Sequence, residues 1–319
     1  MYVVVHVDDV VVAHLEDAAI DFIADKLHDE FEITDLGNLK YYLGIHFERD
    51  QDNIFAIHQE TYINKVLKRH GMSDAKPSKI PIDPGYLKRK EVEDKLHNND
   101  EYRKAIGALL YISTNTRPDI AASVSITSRK VNSPSQADWV EVKRIMRYLK
   151  GTIGKRLVLG DVGQFETAQL LGYADADWAS DSSDRKSNSG FIFKLCGGTI
   201  SWASRKQQCV TLSSTEAEYV ALSEATQEVL WLKRLLNDLH QNIERVVIKE
   251  DNQSCLRMLE KSNQRTKRIH SFHFIKDVKK CGDVDYEYCP TTDMIADILT
   301  KPLAAVKTAR FTELIGVNK

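Results

Sequence analysis

From Phe165 onward the chain switches between two-residue and helical periodicity in an order that few folds satisfy. "QLLGYADADWAS" alternates apolar residues with others and sets Tyr173, Asp175 and Asp177 on one face of a strand. In "SGFIFKLCGGTISWASRKQQCVTLS", Gly197 and Gly198 mark a hairpin turn, which predicts two strands and then a third at "CVTLS". "SSTEAEYVALSEATQEVLWLKRLLNDL" predicts a long helix, opened by a capping-box pattern of Ser213 with Glu216. "RVVIKED" reads as a buried strand ending at Asp251, and "NQSCLRMLE" as a short helix. "VDYEYCP" is a further strand, and "TTDMIADILTKPL" a final helix capped by Thr292 and stopped near Pro302. Antiparallel strands, then helix, strand, helix, strand and helix predict an α/β layered domain around a mixed sheet.

At the other end, "YVVVHVDDVVVA" predicts two strands, Val3–Val7 and Val10–Ala13, buried on both faces because the apolar runs are continuous. Asp8 and Asp9 fall at the turn between them. They read either as an ordinary acidic tip or as a carboxylate pair held to bind Mg²⁺. A helix with Ile20, Ile23, Leu27 and Phe31 on one face follows, then a hairpin from "LKYYLGIHFERD" and "NIFAIHQ", then a short amphipathic helix. The stretch Ser73–Asp100 holds Pro77, Pro81 and Pro84 among many charges, the composition of a linker. Three helices are expected after Glu101. The third carries an apolar stripe of Val142, Ile145 and Leu149, with Lys143, Arg144, Arg147 and Lys150 clustered beside it. That cluster is either a solvated face or a surface for nucleic-acid phosphates.

Composition narrows the classes. With 319 residues the chain has room for two or three domains of roughly 100–200 residues. A net charge of −2 confines any attraction for nucleic acid to local patches. The cysteines, Cys196, Cys209, Cys255, Cys281 and Cys289, are odd in number and never form C-x-x-C, which argues against a disulfide framework or zinc site and for a reducing compartment. No apolar run reaches the roughly 18 residues of a membrane span, and no basic region precedes the first one, so neither a transmembrane helix nor a secretory signal is expected.

Four acids fall at telling places in the last domain: Asp175 facing out of the centre of the first strand, Glu218 in the first turns of the long helix, Asp251 at the end of a buried strand and Asp297 inside the final helix. Taken singly, Glu218 reads as a surface helix residue, Asp251 as a helix N-cap and Asp297 as a solvated or salt-bridged side chain, and Asp177, Glu216 and Asp293 are neighbouring rivals. Taken together they would repel one another unless cations offset the charge. Two Mg²⁺ ions about 3.5–4 Å apart would do this while activating water against a phosphodiester.

The series "GYADADWA", "SNSGFIFKLCGGTISWASRKQ", "LSSTEAEYVAL", "EDNQS" and "MIADILTKPL" resembles the ribonuclease H domain of copia-type LTR retrotransposon Pol polyproteins. "YRKAIGALLYISTNTRPDIA" and "RIMRYLKGT" are similar to the thumb and connection of that polyprotein, and "VHVDD" and "DLGNLKYYLGI" to the end of its reverse transcriptase palm. The resemblance implies an α/β (α+β) chain in three parts: a truncated palm over residues 1–80, a linker and helical thumb/connection over 81–158, and a ribonuclease H domain with a mixed five-stranded sheet over 159–319. It implies Asp175, Glu218, Asp251 and Asp297 as catalytic and metal-binding acids, over their neighbours, with two Mg²⁺ ions for which Mn²⁺ substitutes. Asp8 and Asp9 become the metal-binding pair of an incomplete polymerase site. Lys143, Arg144, Arg147, Lys150 and Asn252 become nucleic-acid contacts, with Ser187 and Ser189 further candidates for the RNA 2′-OH. The implied partners are an RNA–DNA hybrid or nucleic-acid duplex and the rest of the polyprotein, not a membrane. The implied setting is intracellular, in cytoplasmic virus-like particles with a nuclear phase.

Two departures from the family pattern stand out. "KRIHSFHFI" has Arg268 where the family has His and is one residue shorter, which assigns His270 and His273 to strand packing rather than metal binding. His6 replaces the Tyr of the family's "YVDD". Because the partner aspartate and the fingers lie upstream in the family, no primer extension is expected of this sequence. Two readings follow: a hybrid-specific ribonuclease H, or a catalytically inactive nucleic-acid-binding remnant. The intact acids favour the first, and the "KRIHSF" departure favours the second.

Overall fold

The structure, a computed structural model, describes residues 1–51, 54–89, 94–160, 168–181, 183–241, 243–260 and 271–319. β1 (Tyr2–His6) and β2 (Asp9–Ala13) form an antiparallel ribbon with His6 opposite Asp9. The double burial expected of this ribbon is not found: among the described residues no third strand pairs with it, and Val3, Val4 and Val5 are 50–65% exposed. Valine propensity makes the strands, but burial needs a layer on each face, and among the described residues none covers them. α1 (Asp17–Glu30) likewise holds no buried residue.

β3 (Tyr41–Tyr42), β4 (Ile45–Arg49) and β5 (Phe55–His58) run antiparallel and lead into α2 (Glu60–Arg69). Ile63, Val66 and Leu67 of α2 pack into a helical core with α3 (Asp100–Asn115), α4 (Ala121–Ser128) and α5 (Gln136–Gly151), built on Leu109, Ile112, Val124, Val142 and Ile145. α5 starts at a capping box: Ser135 Oγ accepts from the Asp138 backbone N–H, and Asp138 accepts from that of Ser135. Its stripe of Val142, Ile145 and Leu149 is buried as the periodicity requires. β6 (Arg156–Val158) then adds to β5.

β7 (Ala168–Asp177), β8 (Asn188–Leu195) and β9 (Gly198–Lys206) form an antiparallel meander. α6 (Ser214–Asp238) crosses over to β10 (Ile243–Glu250), which lies parallel to β7. After α7 (Gln253–Glu260) and α8 (Ser271–Cys281), β11 (Asp285–Tyr288) adds parallel to β10. The result is the expected mixed five-stranded sheet, in the order β11-β10-β7-β8-β9. On one face Tyr219, Leu222 and Val229 of α6 pack against Leu170, Ala174, Phe193 and Ile248. Gly172 leaves room there, since a Cβ would lie 2.3 Å from the Phe193 ring. On the other face lie Ile298 and Leu299 of α9 (Asp297–Thr300) and Phe311 of α10 (Ala305–Leu314). β12 (Val317–Asn318) ends the chain against β6.

Three local expectations are corrected. "CVTLS" is irregular rather than a strand, because β9 ends at Lys206 and the chain must turn to enter α6; Val210 and Leu212 are left exposed. His273 lies in helix α8 rather than a strand, where the periodicity of Ile275 and Val278 buries one helical face. Arg268 and His270 lie outside the described residues. The expected helix at Thr291–Pro302 is mostly turns; α9 is its only helical part, Thr292 caps nothing, and α10 and β12 follow Pro302.

The helical block is pinned from inside by an ion pair. Arg117 is fully buried and donates Nε to Asp119 Oδ1 at 2.9 Å and an Nη to Oδ2 at 2.7 Å, while the Tyr148 hydroxyl donates to Asp119 at 2.7 Å. Removing one partner of such a pair strands the other charge in a dry interior, which costs about 3–5 kcal/mol. Arg117→Met should lower unfolding stability by that order in urea, and adding Asp119→Leu should recover part of the loss. A loss near zero for Arg117→Met would show that the pair is solvated.

Candidate metal centre

Register sets the first two acids. β10 pairs parallel with β7 so that Lys249 faces Tyr173; carried two residues further, Asp251 arrives level with Asp175. Asp251 stands just beyond β10, which ends at Glu250, not within the strand as expected. The third acid comes from α6. Ala217 and Ala221 pack on Ala176, and these small side chains let the start of the helix approach the end of β7, where Glu218 is buried. One carboxylate oxygen from each of Asp175, Glu218 and Asp251 lies within 4.8 Å of the others. Among the described residues this is the only cluster of three or more His, Cys, Asp or Glu side chains in metal-ligating range.

Asp175 is held from α9. It faces Gly190 across the sheet, and a Cβ at Gly190 would meet Thr300 and Leu299 at 2.7 and 2.8 Å. The bare glycine admits α9, and the Thr300 hydroxyl donates to Asp175 Oδ2. Asn188 fixes the same turn, donating Nδ2 to the Thr300 carbonyl at 2.9 Å, and Arg129 of the helical block donates to Asn188 Oδ1 at 2.7 Å. Asp251 Oδ2 accepts from the Thr291 hydroxyl at 2.7 Å.

Asp297 is fully buried but is not one of the three clustered acids. Its two oxygens face two ammonium groups, Lys301 at 2.6 Å and Lys307. Lys301 also lies 3.6 Å from Asp175 Oδ2. Burial works against the Lys301 charge, but Asp175 and Asp297 outweigh it and raise the affinity of this lysine for its proton. Of the rival acids, Glu216 accepts from the Leu212 backbone N–H and Asp293 pairs with Arg310, so both are engaged elsewhere.

The sequence reading missed Glu250. It is fully buried; Oε1 accepts from the Asn252 N–H at 3.0 Å, and Oε2 has no partner. The signal was present in the strand period, since Val246, Ile248 and Glu250 point the same way and the first two are core. Burial first, then the other carboxylates, push Glu218 and Glu250 well above the usual carboxylate range, and raise Asp175 to about 7. Glu218 Oε2 is also buried without a partner. Buried carboxylate oxygens that lack donors, crowded by like charge, are what a divalent cation relieves, so this donor set fits one.

The remaining candidates are dispersed. Asp8 and Asp9 stand exposed on the ribbon. Asn252 caps α7, its Oδ1 accepting from the Cys255 N–H at 3.0 Å, which leaves only its amide donors free for other use. Ser187 and Ser189 are buried and hydrogen-bonded to Thr211 and Gln207, so they cannot meet a 2′-OH. On α5, Arg144 pairs with Glu141 at 2.9 Å and Asp83 at 3.5 Å, and Arg147 donates to the Lys76 carbonyl at 2.6 Å. Lys143 lies over the Trp139 ring at 5.3 Å.

Residues 1–84 match the family model described as reverse transcriptase (RNA-dependent DNA polymerase). Over 98% of its length the chain is 36% identical to the retrovirus-related Pol polyprotein from transposon TNT 1-94 of Nicotiana tabacum, and over its full length 34% identical to that from transposon RE1 of Arabidopsis thaliana. The chain belongs to the copia-type retrotransposon Pol family. It spans about a quarter of the length of these two relatives, 24% and 22%. An uncharacterized mitochondrial protein of Arabidopsis thaliana is 33% identical over 72% of this chain and 94% of its own. Among solved structures, LC11-RNase H1 in complex with an RNA/DNA hybrid is similar over 41% of this chain and 93% of its own, at 16% identity and a TM-score of 0.33. The foamy viral protease-reverse transcriptase in complex with dsDNA is similar over 91% of this chain and 55% of its own, at 12% identity and a TM-score of 0.46. Among the described residues of this Pol-family chain, no helix is long and apolar enough to cross a membrane.

The electrostatics of Asp175 have a measurable sign. Its proton affinity is higher in the folded state than in a free carboxylate, whose pKa is about 3.9. The stability it contributes is therefore fully present below about pH 4 and is lost as pH rises through about 7. In EDTA, the melting temperature of Asp175→Asn should gain progressively on that of the parent as pH rises from about 4 to about 7. Melting curves that keep a constant gap across that range would rule the effect out.

Proposed function

We propose that this chain is a retrotransposon polymerase region whose residues from about 159 onward hydrolyse the RNA strand of RNA–DNA hybrids with a divalent metal ion. The observation that carries the reading is the convergence of Asp175, Glu218 and Asp251, two of them buried, from three separate elements. Side chains brought together from a strand, a helix start and a strand end, at a cost in repulsion, have no structural use that an apolar residue would not serve better. In this reading Asp175, Glu218 and Asp251 hold Mg²⁺ or Mn²⁺, and Asp297 is the fourth acid of the site. When bound, such an ion supplies Lewis-acid polarisation of the phosphodiester and an acidified water. The chain's own residues do the rest. Thr300 and Thr291 orient Asp175 and Asp251 through their hydroxyls, and the free amide donors of Asn252 stand next to Asp251 as candidates for the RNA 2′-OH.

We further place the division of labour at residues 80 and 158, with a palm segment and a helical thumb/connection before the hydrolytic domain. In the helical segment Lys143 and Lys150 are the candidates for phosphate contact, because Arg144 and Arg147 already serve internal partners. Asp8 and Asp9 belong in this reading to a polymerase palm rather than to the hydrolytic site.

Two experiments test the assignment. With Mg²⁺ or Mn²⁺, the full chain should cut the RNA strand of a hybrid. Asp175→Asn and Asp251→Asn should lower cleavage by several orders of magnitude, the scale of removing a core catalytic group. Asp177→Asn should retain most activity; equal loss at Asp175 and Asp177 would place the metal on the wrong carboxylates. For binding, Lys143→Ala with Lys150→Ala should reduce the log–log salt slope by roughly one unit per lost contact. Arg144→Ala should instead reduce stability and leave the slope intact. The reverse pattern would show that Arg144, not the lysines, meets the phosphates.

A further inference from the structure

We infer that Lys301 is a built-in substitute for a second cation, so that this carboxylate set takes one tight divalent ion rather than two. The inference rests on the metal-dependent reading above and refines it. The five carboxylates of the region are not equivalent. Asp175, Glu218 and Asp251 converge, with oxygens within 4.8 Å of one another. Two ligand oxygens on opposite sides of one Mg²⁺ are about 4.2 Å apart, twice a bond of ~2.1 Å, so small side-chain adjustments close this set on a single ion. Glu218, one of the three, and Glu250 each have a buried oxygen without a partner.

Asp297 is placed differently. A second ion shared between Asp297 and Asp175 would have to sit between their oxygens. That place is taken by the Lys301 ammonium, 2.6 Å from Asp297 Oδ1 and 3.6 Å from Asp175 Oδ2. The other Asp297 oxygen faces Lys307. A divalent ion at Asp297 would stand against two ammonium charges already beside its oxygens.

The lysine is also held in place. It lies one turn after Asp297, directly beyond α9, whose Ile298, Leu299 and Thr300 are buried. Asn188 grips that turn through the Leu299 and Thr300 carbonyls, at 3.3 and 2.9 Å. Pro302 follows and restricts the Lys301 backbone to extended conformations, in which it is found at ψ 154. The Lys301 backbone is thus fixed by the fold, and from it the ammonium reaches both carboxylates and does there the neutralising work of a cation without needing one from solution.

The test is a count of bound Mn²⁺ on the full chain, with Mn²⁺ alone as the probe and electron paramagnetic resonance reporting the free ion. The parent should bind one tight ion, lost in Asp175→Asn. Asp297→Asn should leave the count at one, because Asp297 is not a ligand. Lys301→Met should raise it to two, and Lys301→Arg should keep it at one. Two tight ions on the parent, falling to one in Asp297→Asn, would overturn the inference while leaving the metal-dependent reading intact. A count of one in both the parent and a folded Lys301→Met, checked by circular dichroism, would also overturn it. No tight ion on the parent would bring down the metal-dependent reading itself. Should Lys301→Met fail to fold, the counts on the parent and Asp297→Asn decide alone.

Discussion

The parallel pairing of β7 with β10 is the constraint on which the rest of the site depends. An antiparallel neighbour would carry its end away from Asp175. A parallel one brings Glu250 and Asp251 to the same edge of the sheet as Asp175. Parallel neighbours require a crossover, and α6 is that crossover. Its start has to pass the end of β7 closely enough for Glu218 to reach the same place, which the alanines at 176, 217 and 221 permit. One topological choice thus gathers acids that lie far apart in sequence.

Small residues then decide what else can approach. Gly190, beside Asp175, leaves the sheet open to α9, and with α9 come Thr300, Lys301 and Asp297. From there hydrogen bonds run through Asn188 to Arg129, on the far side of the boundary proposed at residue 158. Trp202 of β9 likewise donates to the Ser113 carbonyl of α3 at 2.8 Å. The helical block is therefore not an appendage to the sheet. It supplies part of the packing that keeps the α9 turn, and the groups it carries, in position.

Much of this was legible in the sequence. The alternation in "GYADADWA", the glycine pair, and the capped long helix point to the succession of elements that builds a mixed sheet, and four acids could be named from their places on those elements. Local periodicity also led astray where burial depends on distant partners. The valine ribbon has the composition of a core strand, but among the described residues no layer buries it. "CVTLS" alternates like a strand but falls where the chain must turn. The lysines on Asp297 were not legible, because nothing in "ADILTKPLAAVKTA" says that the second of them, a turn into α10, folds back onto the same carboxylate as the first. Glu250 was legible and overlooked: an acid in phase with Val246 and Ile248 is an inward-facing charge, and such a charge demands an explanation.

The two acidic groups of this chain show why position outweighs residue type. Asp8 and Asp9 are neighbours in sequence, yet both face water. Two unit charges 4 Å apart in water repel by only about 1 kcal/mol, so nothing there forces a cation to bind. Asp175, Glu218 and Glu250 are removed from water, where the same separation is several times more costly. Protonation is one way to relieve that repulsion, as the raised affinities of all three for protons show. A fixed ammonium is a second, and Lys301 provides it for Asp175 and Asp297. A divalent ion is the third, and it is the one that leaves the carboxylates ionised at neutral pH. The second remedy is present on the α9 side of the site, and in the proposed reading the third applies where Glu218 and Glu250 have oxygens without donors.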